Sequence, residues 1–252
     1  MKTLPIAVQL YSIREDCNRD LEGVLRAVAD MGYDGVETAG FAGRTPAEFA
    51  ALLAASGLRI EGSHIPLDSV LPGTIDKTVA DCAAVGCRRA IVPWIGGPWT
   101  ATIDGLKRFL AVMNTAGDRF AEAGIEFGYH NHEFEFRYGP AGCFPFDLMD
   151  AGFTSNVKFQ FDMGLAYAAC ADGIALANTH AGRICSIHAK PFAKDNPAPY
   201  LCEDDVDWPA VVAASALAGA DWVVVEHEVY AAPPMECIRR DLANLRAALA
   251  AE

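Results

Sequence analysis

Residue types that bind metals and move protons close four successive apolar runs in the second half of the chain. His130 and His132 end IEFGYHNH, Asp162 ends VKFQFD, His188 ends ICSIH and Glu226 ends WVVVE. Buried acids and histidines are costly unless they are paired or hold a cation. Asp162 and Glu226 together would neutralise a dication. Imidazole from His188, and from His130 or His132, would add nitrogen. A mixed nitrogen and oxygen sphere suits manganese, cobalt, zinc or ferrous iron, and a pure magnesium site less well. One histidine at a strand end is more often a hydrogen-bonded structural residue. Four such strand ends in sequence order favour a shared ion.

These residues converge only if the runs are parallel neighbours. Strand-like runs cover 6–12, 35–40, 59–64, 89–94, 125–132, 157–162, 184–190 and 222–228, and helical stretches lie between them. DLEGVLRAVADMG places Leu21, Val24, Leu25, Val28 and Met31 on one face before Gly32. TPAEFAALLAASG opens with Thr45 as N-cap, Pro46 at the first helical position and Glu48 three residues after the cap. Eight strand–helix units over 252 residues predict one (β/α)8 barrel domain over 1–252. An open doubly wound sheet would call for a glycine-rich turn after the first strand, and SIREDCNRD has no glycine there. In a barrel, strand alternation gives His130 and His132 a common direction, with Glu133 and Glu135 just beyond. The proline-rich segment 190–205 follows the seventh strand on the face where such barrels carry their sites, so it is expected to wall the pocket.

The net charge of −13 disfavours nucleic acid, whose affinity rests largely on Lys and Arg, and anionic membrane surfaces. No uninterrupted apolar stretch of about 18 residues is present, so no membrane span is expected. MKTLPIAVQLYS reads as a first strand and not a signal peptide. The eight cysteines form no CxxC pair, which points to reduced thiols in a cytoplasmic protein.

Several segments together carry a resemblance. QLYS (9–12), GYDGVE (32–37), SHIPLD (63–68), GYHNHEFEF (128–136), FQFDMGLAYAACAD (159–172), HAKPF (188–192), DDVDW (204–208) and VVVEHE (223–228) make the chain similar to the xylose-isomerase-like TIM-barrel superfamily. That superfamily holds sugar isomerases and epimerases, inosose dehydratases and type IV endonucleases. The resemblance implies a divalent metal, manganese first, with cobalt, zinc, magnesium or iron as alternatives. It implies the ligands Asp162, His188 and Glu226. Many members carry a glutamate on strand five, where this chain has His130 in a YHNH motif found in inosose-dehydratase-like members. A strict mechanism with two glutamate bases is therefore in doubt, and Glu133, Glu135 or a histidine is left to supply the second acid/base.

The chemistry inferred is proton abstraction next to a carbonyl through a metal-stabilised enediolate. Glu226 is the expected base, with His132, Glu135 and Lys190 as further catalytic candidates. Glu37, His64, Trp94, His132, Lys190 and Glu228 are candidates for contact with substrate. Trp94, Trp99 and Phe192 are candidates for an apolar wall, and Gly96 and Gly97 for a flexible loop over the pocket. A structural reading stands beside each: Glu37 as a salt-bridged acid, His64 as a structural histidine, Lys190 as a surface lysine, Glu228 as a rim residue, the aromatics as packing. The leading expectation is an isomerase or epimerase of a sugar or keto-sugar, with a homo-oligomer possible. The alternative is a lyase or dehydratase acting on a keto-inositol or 3-keto-glycoside. A repair endonuclease conflicts with the charge and with too few histidines for a three-metal cluster. A non-catalytic accessory subunit would tolerate alanine at Asp162, His188 or Glu226.

Overall fold

The computed structural model describes residues 4–251. Eight parallel strands close into a barrel in sequence order. They are β1 (Ile6–Gln9), β2 (Gly35–Ala39), β3 (Arg59–His64), β4 (Arg89–Val92), β5 (Glu126–His130), β6 (Val157–Asp162), β7 (Ile184–Ala189) and β8 (Val223–Val225). β8 pairs back onto β1 through Ile6–Val223, Ala7–Val224 and Val8–Val225, which closes the ring. Strands buried on both faces read as apolar runs and not as alternation, and IAVQ, RAIV and VVV are buried at every position.

Helices cover the outside: α1 (Arg14–Met31), α2 (Pro46–Ser56), α3 (Ile75–Val85), α4 (Ile103–Glu122), α5 (Pro145–Gly152), α6 (Met163–Ala168), α7 (Gly173–Thr179), α8 (Trp208–Ala218) and α9 (Pro234–Ala250). The capping box on α2 forms as the sequence predicts, with Thr45 Oγ1 accepting from Glu48 N and Glu48 Oε2 accepting from Thr45 N. α1 begins earlier than the periodicity suggests. It kinks at Asp20, whose side chain accepts from the Gly23 amide and so caps the segment the apolar pattern marks. Most of the apolar core lies between strands and helices.

The barrel interior is unusual in being polar. Barrels of this kind are commonly filled by layers of branched apolar side chains. Here Gln9, Glu37, Gln160, Ser186 and His188 lie inside, fully buried. Gln160 Nε2 donates to Glu37 Oε1 (2.7 Å) and to Ser186 Oγ (2.9 Å). Gln9 Nε2 donates to Glu37 Oε2 (2.7 Å). At the opposite end Arg89, also buried, pairs with Glu61, Glu126 and Asp221, beside a small apolar plug of Ala7, Trp222 and Val224. The interior thus forms a hydrogen-bonded column whose upper end carries the candidate site.

Candidate functional site

Four donors meet at the C-terminal ends of the last four strands. His130 ends β5, Asp162 ends β6, His188 lies next to last in β7, and Glu226 directly follows β8. One ligand atom from each lies within 4.8 Å of those of the other three, and all four residues are buried. His188 Nδ1 contacts Glu226 Oε2 at 3.0 Å, and His188 Nε2 contacts Glu37 Oε2 at 2.7 Å. Asp162 Oδ1 accepts from the Leu165 amide (2.8 Å) and caps α6, which fixes the carboxylate. Asn131 locks the β5 end to β6 through both the amide and the carbonyl of Asp162.

The charges at the site are strongly coupled. Burial pushes the Asp162 carboxyl up to about 7, against the opposing pull of Lys190. Burial also disfavours ionised Glu226, but Lys190 and His188 hold it well below the usual carboxylate range. His188 is raised to about 10 because Glu37 and Glu226 outweigh the cost of burying its charge. Burial and the neighbouring histidines and Lys190 keep His130 neutral. His132 is lowered to about 4 by burial, assisted by Lys190. The Lys190 ammonium pairs with Glu228 and lies 3.7 Å from Glu226 and 4.0 Å from Asp162. Its pKa is raised by these carboxylates in spite of burial.

A divalent ion fits this donor set. Asp162 Oδ2 and His130 Nδ1 are buried polar atoms without a hydrogen-bond partner. Buried groups of that kind are normally satisfied, and a cation among two imidazoles and two carboxylates would satisfy the carboxylate oxygen. The bond from His188 Nε2 to Glu37 turns Nδ1 toward Glu226, the side on which such an ion would sit. A carboxylate behind a ligating histidine is the usual way to fix its tautomer.

Above the donors opens a pocket of about 670 Å³, lined by Tyr11, Ala39, Gly40, His64, Ile65, Pro66, Pro93, Trp94, His130, His132, Glu226 and Glu228. His64, His132, Trp94 and Glu228 are therefore brought to it, as the sequence suggests. His64 stacks on His188 with ring centroids 5.2 Å apart, and its Nε2 contacts Gln160 Oε1 (2.8 Å) and Glu37 Oε2 (3.1 Å).

Other expectations need correction. β5 ends at His130, so His132 reaches the pocket from a loop and not by strand alternation; its ring centroid is still 5.2 Å from that of His130. Glu135 is not brought in. Its carboxylate is fully buried, accepting from Tyr129 Oη (2.5 Å) and from the His132 amide (2.8 Å), so it anchors the His132 loop. Glu37 does not face substrate: it is fully buried, and both its oxygens are taken by side chains of the barrel. Trp99 and Phe192 pack against the apolar core instead of lining the pocket. Segment 190–205 turns back on itself, Phe192 N donating to Asp204 and Asp205 N to the Phe192 carbonyl, and it supplies no pocket wall.

Sequence reasoning missed Gln9, Gln160, Asn131 and Tyr11. A faint signal existed for the first two, since each is a lone amide inside an otherwise apolar strand that must be buried on both faces. It also missed the buried His227–Asp241 pair (2.6 Å), which with Ser12 Oγ on the His227 amide fixes the backbone between Glu226 and Glu228.

The fold is that of a (β/α)8 TIM barrel with a His/Asp/Glu cluster at the ends of strands five to eight. Residues 25–248 match the family model described as xylose isomerase-like TIM barrel, and the chain belongs to that family. Comparison with curated proteins gives no match. Among solved structures, a sugar phosphate isomerase/epimerase from Parabacteroides distasonis superposes with TM-score 0.81 at 24% identity, over 96% of this chain and 97% of that one. An L-ribulose 3-epimerase gives TM-score 0.75 at 15% identity, over 99% and 95% of the two chains. An IolI protein with a bound zinc atom gives 0.77 at 13% identity, over 98% and 99%. At these identities the structures establish the fold alone. No helix among the described residues is long and apolar enough to cross a membrane.

Proposed function

We propose that the protein is a divalent-metal-dependent isomerase or epimerase of a sugar or keto-sugar. The observation that carries this reading is the meeting of His130, Asp162, His188 and Glu226, with Asp162 Oδ2 left without a partner at the floor of an open pocket. Those four residues would hold the ion, and their mixed nitrogen and oxygen donors suit manganese, cobalt, zinc or ferrous iron. When bound, the ion would supply Lewis acidity toward adjacent carbonyl and hydroxyl oxygens of a sugar.

The chain's own residues then have distinct tasks. Glu226 remains ionised, so its carboxylate can take a proton from the carbon beside a substrate carbonyl. The Lys190 ammonium, held by Glu228 and close to Glu226, places positive charge where the substrate oxyanion develops. His132 lines the same pocket with Nδ1 unpartnered, and neutral imidazole there can accept or return a proton at the second carbon or opposite face. His64, held through Nε2 by Gln160 and Glu37, lines the wall near the sugar hydroxyls. Glu37 keeps His188 turned toward the cluster.

A second reading, elimination from a keto-inositol or 3-keto-glycoside, is favoured by one feature. His130 stands at the end of β5, so the floor lacks a second carboxylate opposite Glu226 to serve as a paired base. The test combines metal analysis of the purified protein with solvent deuterium exchange into ketoses. Bound or restorable dication and deuterium in recovered substrate support the proposal; a protein that takes up no dication, or no exchange across a broad panel, overturns it. Loss of water or aglycone in place of exchange would favour the lyase.

A further inference from the structure

The pocket is divided chemically. Its floor is ionic and buried: His130 and Glu226 line it and are each at most 5% exposed, with Asp162 and His188 buried behind them. Its upper wall is apolar, with Trp94 and Tyr11 exposed by 57% and 41% beside Ile65, Pro66 and Pro93. A volume of about 670 Å³ is in the middle of the range for ligands well above monosaccharide size. A single sugar ring on the floor leaves the aromatic part of that space unfilled.

Trp94 is held in place for this use. The indole lies over Gly96, where a Cβ would come within 2.3 Å of Trp94 Cη2 and 2.5 Å of Cζ2. Gly96 has an extended backbone, so its lack of a side chain serves the close approach of the ring and not its own conformation. Tyr11 is fixed in turn by the Arg14 guanidinium, 4.2 Å from its ring centroid, and Arg14 Nη1 donates to the Tyr11 carbonyl.

The electrostatics point the same way. Two carboxylates, Glu226 and Glu228, line the pocket, and no arginine or lysine does. The nearest ammonium, Lys190, is already shared among Glu228, Glu226 and Asp162. A phosphate dianion beside Glu226 and Glu228 would lose its hydration and meet like charge, and the one guanidinium near this wall, Arg14, is turned onto the Tyr11 ring and the Tyr11 carbonyl.

We propose that the pocket accepts an uncharged sugar bearing a flat apolar substituent, which packs on Trp94 while the sugar occupies the floor, and that it discriminates against phosphorylated sugars. This rests on the sugar-binding reading of the floor given above and names its substrate class. Aromatic packing contributes about 0.5–1.5 kcal/mol beyond area burial, and the area buried adds to that.

The test is calorimetric titration of the manganese-loaded protein with phenyl β-D-glucoside, glucose and glucose 6-phosphate. The glycoside is expected to bind at least tenfold tighter than glucose, and the phosphate at least tenfold weaker than glucose. Trp94→Ala and Gly96→Ala, which remove and displace the indole, are expected to abolish the glycoside's advantage and leave glucose within twofold. Phosphate binding as tight as glucose overturns the proposal. So does an aryl advantage that survives Trp94→Ala, an equal loss of glucose and glycoside in that variant (the ring then packs on the sugar itself), or no saturable binding of any probe. The titration needs no turnover. Failed deuterium exchange with the aryl preference intact would sink the enolisation chemistry and leave this inference standing.

Discussion

Replacing Glu37 by Gln should expose how much of the site depends on a residue that touches neither pocket nor ion. Glu37 Oε2 accepts from Gln9 Nε2 and faces His188 Nε2 and His64 Nε2, and Oε1 accepts from Gln160 Nε2. Burial opposes its charge, yet His64 and His188 hold it down to about 2. Glutamine keeps the shape but supplies one oxygen and one NH2. With the NH2 in the Oε1 position it confronts the Gln160 amide donor; in the Oε2 position it confronts Gln9 and both imidazoles. Rotating Gln160 would relieve the first arrangement but withdraw the oxygen that holds His64 at 2.8 Å. A buried donor left facing a donor costs about 1–3 kcal/mol. Losing the anion beside a buried imidazolium brings the total toward the roughly 3–5 kcal/mol of a broken buried pair. We expect about 3 kcal/mol lost in urea unfolding of chelator-treated protein. Manganese affinity should fall about 10–100-fold by calorimetry, the usual effect of removing a carboxylate behind a ligating histidine. If stability changes by less than about 0.5 kcal/mol, the size of an ordinary surface substitution, and manganese affinity stays within twofold, the assignment of Glu37 as the residue that orients His188 is wrong.

Asp162→Asn should abolish stoichiometric manganese binding, measured by metal analysis after dialysis, while circular dichroism stays native; full retention of metal would remove Asp162 from the ligand set. The pH dependence of chelator-treated protein follows from the same residue. Its folded carboxyl is raised from 3.8 to about 7, so the native state holds the proton more tightly than the unfolded chain. This contribution is fully present below about pH 4 and lost as pH rises to about 7. The buried, neutral His130 and His132 oppose this trend, so the Asp162 share is read as a difference: the advantage of wild type over Asp162→Asn in thermal midpoint should shrink from pH 4 to pH 7. With manganese present the trend should reverse, because binding displaces protons from the ligands, so a metal-loaded protein that weakens from pH 4 to 7 would contradict the assignment. Glu135→Ala strands the Tyr129 hydroxyl and the His132 amide, at about 1–3 kcal/mol each. It should lower kcat in the exchange assay with manganese affinity unchanged; an equal fall in metal affinity would place Glu135 in the ion's surroundings instead.

The barrel and the cluster of acids and histidines at its strand ends were legible because both follow from local pattern. Parallel strands are mostly apolar, so a ligand-type residue closing VKFQFD or WVVVE stands out against its own run. Residues acting through space were not legible. The sequence shows Glu37 and His188 only as residues on strands two and seven; that they meet at 2.7 Å depends on barrel curvature and on a register shift in the β2–β3 pairing beside Glu37. Glu135 was misplaced for a related reason. β5 ends two residues earlier than its composition suggests, and a short turn at Phe134–Phe136 carries Glu135 to Tyr129, away from the pocket. Alternation is a sound guide within a strand and fails once the strand has ended.

The polar column below the site connects fold and chemistry. Apolar layers in the barrel would be simpler to stabilise, and each buried amide or carboxylate must be matched by a partner. Gln9, Gln160 and Ser186 provide those matches and fix the Glu37 carboxylate, which His64 and His188 keep ionised and which in turn holds His188. The site is therefore ordered from beneath before any ligand arrives, which is where precision is needed for proton transfer. At the top of the column His188 bridges Glu37 and Glu226, and Lys190 lies beside Glu226 and Asp162. Chelation should consequently leave the barrel folded and reversibly inactive, with activity restored by added manganese; unfolding on chelation would show that the column alone cannot hold the site together.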